Sequence, residues 1–181
     1  MQMQFFVSLL ILTFLNLVTS TPLIPDIYSR DAATVLTDLR KVHTDLDTLS
    51  QAIVAYNGGL VAALDIHRKE TIVERDLEQA TSDTNAAGPF TASESTMITN
   101  SLLELEPNVK LSLDTLVKKK PLADQAGISR IVRMDLQNLQ TKTGILSTAL
   151  QSKATEPDKR TLATKTEELD RAFASAVAAF S

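Results

Sequence analysis

From Val35 onward, apolar side chains recur at Val35, Leu39, Val42, Leu46, Leu49, Ile53 and Tyr56, spaced alternately four and three residues apart. Side chains at these spacings share one face of an α-helix, so the rhythm predicts an amphipathic helix of about six turns with a single apolar stripe. Such a stripe has to be buried against other elements, which makes the rest of the chain a search for partners. Ser29 or Asp31 can cap the start of this helix, and Asn57-Gly58-Gly59 supplies the left-handed backbone that ends it.

Four further helical stretches follow. The second, from about Leu60 to Ser82, places Ile66, Val73, Leu77 and Ala80 on one stripe and leaves Val61, Leu64 and Ile72 off it, which predicts contacts on two sides. The segment SDTNAAGPF from Ser82 to Phe90 reads as a loop, and Thr91 with Glu94 three residues on makes a capping box for the third helix. That helix carries Ile98, Leu102, Leu105, Val109 and Leu116 and stops at Lys118-Lys119-Lys120-Pro121. The fourth, from about Asp124 to Lys153, aligns Val132, Leu136, Leu139, Thr143, Leu146 and Leu150. After the start signal Thr155-Glu156-Pro157-Asp158, the fifth aligns Leu162, Thr166, Leu169, Phe173, Val177 and Phe180. No stretch alternates with period two, so the expectation is an all-α fold, a bundle of about five long amphipathic helices.

Cysteine is absent, so there are no disulfides and no thiolate chemistry, and packing alone must hold the bundle. Residues 1–20, MQMQFFVSLLILTFLNLVTS, carry no charged side chain and read as a signal peptide, too short an apolar run for a transmembrane anchor. Residues 21–28 then form a short N-terminal segment, and residues 29–181 a single helical-bundle domain of a secreted protein. A net charge of −4 leaves no electrostatic footprint for nucleic acid.

Catalytic patterns are missing: there is no Gly-x-Ser-x-Gly elbow, no His-Glu-x-x-His helix and no Gly-rich phosphate loop. His43 and His67 read as solvated, and His43 with Asp47 offers only two ligands where zinc sites use three or four, so neither a metal nor a cofactor is expected. Lys118 to Lys120 suit the negative end of a helix dipole, with an acidic lipid head or a wall polysaccharide as the alternative use.

Pro107 falls inside the third stripe. It lacks an N–H and crowds the carbonyl of Leu103, at a cost of about 3 kcal/mol in an ordinary helix, so a kink is expected there. A kinked wall opens space inside a bundle, and Thr143 with Gly144 marks a second departure from tight packing. The candidate site is therefore a seam cavity lined by Leu105, Val109, Leu136, Leu139, Leu146, Leu169 and Phe173. Thr143 and Thr166 are its candidate polar contacts, each with the alternative of bonding its own helix carbonyl one turn earlier.

The stretches AIVAYNGG (Ala52 to Gly59), ELEPNVKLSLDTLVKKK (Glu104 to Lys120), DLQNLQTKTGILSTALQSK (Asp135 to Lys153) and AFASAVAAF (Ala172 to Phe180) resemble the fungal hydrophobic surface-binding protein A family, which includes cell-wall galactomannoproteins. The resemblance spans Ser29 to Phe180 and implies a secreted, cysteine-free, helical, non-enzymatic protein, extracellular or wall-associated. Some relatives adsorb to hydrophobic surfaces and recruit a secreted polyester hydrolase, whereas others hold a fatty acid in an internal cavity. Lacking a long Ser/Thr-rich tail and a lipid-anchor signal, this chain is expected to be freely secreted.

Overall fold

The computed structural model describes residues 30–181, which form six α-helices: α1 (Arg30–Ala55), α2 (Leu60–Ala86), α3 (Ala92–Lys118), α4 (Lys120–Gln125), α5 (Ser129–Lys153) and α6 (Glu156–Ala179). Five are long, and no strand occurs among the described residues. The expected signal peptide, the segment at residues 21–28 and the Ser29 cap lie outside the described residues.

Local chemistry sets the boundaries. The capping box forms as read: Thr91 Oγ1 accepts from the Glu94 amide at 3.3 Å, and the Thr91 amide donates to Glu94 Oε2 at 2.8 Å. α2 runs past the expected stop at Ser82 because a long-range partner holds its end. Lys153 Nζ, from α5, donates to Ala87 O at 2.6 Å and Asn85 O at 3.2 Å, satisfying carbonyls that a helix terminus leaves open. Lys119 does the same for α1, donating to Tyr56 O at 2.5 Å and Val54 O at 3.0 Å, so this lysine caps a neighbouring helix rather than its own. The short α4 is the one unexpected element. Pro121 lies in its first turn, where a missing N–H costs nothing, and Gly127 at φ 70° closes it, so α5 begins at Ser129 instead of Asp124. α3 continues as one helix through Pro107.

The long helices close into a ring in the order α1, α2, α5, α6, α3 and back to α1. α1, α3 and α6 run toward the end that carries α4, and α2 and α5 run away from it. Three neighbouring pairs are therefore parallel, and side-chain contacts register them: Ser112 Oγ donates to Ser50 Oγ at 2.8 Å between α3 and α1, and Asn108 donates to Asp47 one turn earlier. Lys142 of α5 pairs with Glu74 of α2 at 2.9 Å, and Ser95 of α3 donates to Asp158 of α6 at 2.6 Å.

Thr91→Ala removes the reciprocal cap of α3 and is expected to destabilise the fold by about 1 kcal/mol, read as a lower urea midpoint at unchanged slope. An unchanged midpoint would mean that α3 is held by packing alone.

Candidate ligand-binding site

The five stripes meet on the ring axis, but they do not fill it evenly. Away from α4 the axis is solid, with Val35, Leu39, Leu150 and Leu162 fully buried. Midway along, the packing loosens into a cavity of about 90 Å³ to which every long helix contributes. α1 supplies Val42, Leu46, Leu49 and Ile53, α2 supplies Val73 and Leu77, and α3 supplies Leu105, Val109 and Leu116 among others. Leu136, Leu139, Thr143 and Leu146 come from α5, and Leu169 and Phe173 from α6.

Eight of the nine residues singled out in the sequence thus share one wall. The exception is Thr166. Its hydroxyl donates to Leu162 O at 2.7 Å and bonds the Ser147 hydroxyl across the α5–α6 seam, outside the cavity. Thr143 differs from its neighbours Thr141 and Thr148, which bond Gln137 O at 2.8 Å and Gly144 O at 2.9 Å. Thr143 lines the cavity, and its hydroxyl makes no hydrogen bond among the described residues. Gly144 does not shape that space: a methyl added there would meet nothing within 4 Å.

A second cavity, of about 270 Å³, lies at the α4 end. Leu60, Ala63 and Leu64 of α2 face Ile131 and Val132 of α5 across it, and Leu116 lines both cavities. The sequence signal for it was the set of apolar residues off the α2 stripe, of which Leu64 lines the space. Tyr56, on the same wall, has a buried hydroxyl with no hydrogen-bond partner among the described residues.

At the edge of this cavity, His67 is not simply solvated. Its Nδ1 lies 3.1 Å from Asp135 Oδ2 and 3.6 Å from Glu70 Oε2, which ties α2 to α5. These three residues form the one group of potential metal ligands among the described residues, its ligand atoms all within 4.8 Å of one another. Helix spacing alone could not reveal it, because Asp135 arrives from a helix 68 residues on. Burial and the crowding of carboxyl groups there favour the protonated form of Glu70. Burial first, then the bond with Glu74 and the negative charges of Asp135 and Glu74, push the Glu70 carboxyl up to about 9, with Lys142 opposing. Burial also raises Asp135, against the lowering effect of His67. Glu74 goes the other way, because its bonds with Glu70 and Lys142 outweigh its own burial.

A closed ring of amphipathic helices around an apolar interior, with the unpartnered Tyr56 hydroxyl on its wall, is the architecture of a ligand-binding bundle. Residues 32–152 match the hydrophobic surface binding protein A family, HsbA. The solved structure of AfMP4p in complex with palmitic acid is 46% identical at a TM-score of 0.82, covering 83% of this chain and 99% of that one. The chain belongs to the hydrophobic surface binding protein A family. Ligand-binding domain 1 of the Penicillium marneffei MP1 protein, complexed with arachidonic acids, shares the fold at a TM-score of 0.79 and 19% identity, over 84% of this chain and 99% of that one. Domain 2 of the same protein gives 0.78 and 16%, over 84% and 97%. No curated protein sequence matches the chain.

The Glu70 shift has a sign. Its folded pKa of about 9 lies above the ordinary 4.5, so the folded state holds the proton more tightly than the unfolded chain. That contribution is complete below the ordinary value and is lost as pH rises toward the folded one. Glu74 contributes oppositely, with stability lost as pH falls through its lowered folded value. In thermal melts across this range, Glu70→Gln is expected to lose less stability than the parent as pH rises. Parallel curves for the two proteins would remove Glu70 as the group responsible.

Proposed function

We propose that this chain is an extracellular, non-enzymatic lipid-binding protein that holds one long acyl chain along the ring axis. The observation that carries the reading is the apolar cavity to which all five long helices contribute, in a chain 46% identical to a protein solved with palmitic acid. Leu105, Val109, Leu136, Leu139, Leu146, Leu169 and Phe173 are the proposed contacts for the alkyl tail. Thr143 and Tyr56 offer the hydroxyls for its polar head, Tyr56 from the α4 end.

The size of the cavity says how the lipid is taken up. An engineered cavity of about 150 Å³ accepts benzene, so 90 Å³ does not hold a long alkyl chain without rearrangement. The helices must part, and the shared wall at Leu116 is where the two cavities can merge. Burying about 15 methylenes at roughly 0.8 kcal/mol each yields about 12 kcal/mol. That exceeds association costs near the low end of about 4 to 15 kcal/mol, and the surplus is available to separate the walls.

The extracellular placement follows from the apolar leader expected at residues 1–20. Among the described residues no helix is long and apolar enough to cross a membrane. The adaptor role, adsorption to a hydrophobic surface with recruitment of a secreted hydrolase, is the second reading and draws on exposed apolar residues at the α4 end.

Native mass spectrometry with added palmitic acid is expected to show one fatty acid per chain. Leu139→Trp, which fills the cavity, should abolish the adduct while the circular dichroism stays helical. At a hundredfold excess over Kd the ligand should stabilise the fold by about 2.7 kcal/mol, several degrees in Tm. Undiminished binding by the tryptophan variant would place the lipid elsewhere, and surface adsorption that survives it would favour the adaptor.

A further inference from the structure

The exposed large apolar side chains are not scattered over the bundle. Of the nine among the described residues, Val54, Leu60, Val61, Leu64, Ile131 and Met134 lie within about two turns of the α4 end, at the close of α1 and the starts of α2 and α5. Val61 is 85% exposed and Met134 53%. The opposite end, built from the α2–α3 and α5–α6 connections, shows no exposed large apolar residue among the described ones, and its Phe90 is buried. Three of the six, Leu60, Leu64 and Ile131, line the second cavity, and Val61 and Met134 stand within a turn of them on the same helices.

Charge follows the same axis. Residues 54–68, 114–135 and 171–181 carry seven lysines and arginines against four aspartates, although the chain as a whole is acidic. Three of the four aspartates are engaged locally: Asp65 with Lys69, Asp124 with Lys120 and Asp135 with His67. Arg68, Lys118, Arg130 and Arg133 are exposed and make no ion pair among the described residues. An apolar rim framed by unpaired cations is complementary to a layer with anionic head groups above hydrocarbon. A purely hydrocarbon surface would leave the arginines unmatched, and a second copy of this end would bring like charges together.

We propose that the α4 end is a docking face for an anionic phospholipid bilayer. Val61 and Met134 enter the head-group region, Arg68, Arg130 and Arg133 meet the phosphates, and the second cavity opens toward the membrane. The face deepens the acyl-binding function, on which it rests for its cargo. A fatty acid leaving the bilayer enters between Leu60, Leu64 and Ile131, passes the unpartnered Tyr56 hydroxyl, and reaches the axial cavity at Leu116 without crossing bulk water.

The test uses the purified chain and the double variant Val61→Glu/Met134→Glu, which changes two exposed side chains that line neither cavity. Three readouts are taken: co-sedimentation with phosphatidylcholine vesicles with and without phosphatidylserine, transfer of a fluorescent fatty acid from those vesicles, and Kd for the same fatty acid delivered from solution. The parent is expected to sediment with the phosphatidylserine vesicles, less so in high salt, and to load faster as vesicle concentration rises. The double variant should lose sedimentation and load about tenfold more slowly, with its solution Kd unchanged. Arg130→Glu/Arg133→Glu should lose the preference for phosphatidylserine. Sedimentation independent of both variants overturns the docking face, as does a concentration-dependent dimer that the double variant abolishes. A parent that sediments as expected but binds no fatty acid from solution overturns the acyl-binding function instead, so the two failures are distinguishable.

Discussion

Everything in this fold rests on burying five apolar stripes against one axis without a disulfide to assist. A fully buried leucine is worth about 1.5–3 kcal/mol. Residues such as Leu39, Leu146, Leu150 and Leu162 are buried completely, and the stripes that carry them run nearly the length of each helix. With few aromatics to fill wide gaps, aliphatic side chains must interdigitate, and they succeed better at one end than at the other. The solid end anchors the ring, and the looser end retains volume that a ligand can use.

Apolar stripes say little about which helix lies beside which, because one leucine seam packs nearly as well on another. Polar contacts decide it. The Ser112–Ser50 and Asn108–Asp47 bonds fix α3 beside α1, the Lys142–Glu74 pair fixes α5 beside α2, and the Ser95–Asp158 bond fixes α6 beside α3. A mispaired helix would take these partners from the buried Ser50 and Ser95 hydroxyls, at a cost larger than the bonds themselves contribute. Lys119 and Lys153 reinforce the same choice, since each closes the carbonyl end of a helix distant in sequence.

Several features of the cavity were legible because they depend only on helical phase. Leu105, Val109, Leu136, Leu139, Thr143, Leu146, Leu169 and Phe173 each occupy a stripe position, and a stripe position on a closed ring points inward. Thr166 occupies one too, yet its hydroxyl finds Ser147 nearby, and a satisfied hydroxyl in a seam is no longer a ligand donor. The second cavity was signalled only faintly by Leu64, since much of its wall comes from Tyr56, just past α1, and from α3, α4 and α5. His67 looked solvated because its partner Asp135 stands on a separate helix.

The sequence by itself determined the helical class, the extent of most helices, the capping box at Thr91 and the inward face of each long helix. These are consequences of spacing and capping within a few residues, where backbone geometry leaves little choice. Only the tertiary structure decided the ring order, the three parallel neighbours, the extra turn of α4 and the uneven filling of the axis. The ring order and the parallel neighbours depend on pairs of side chains some sixty or more residues apart, whose meeting is set by the competition among all the packings that five similar stripes allow.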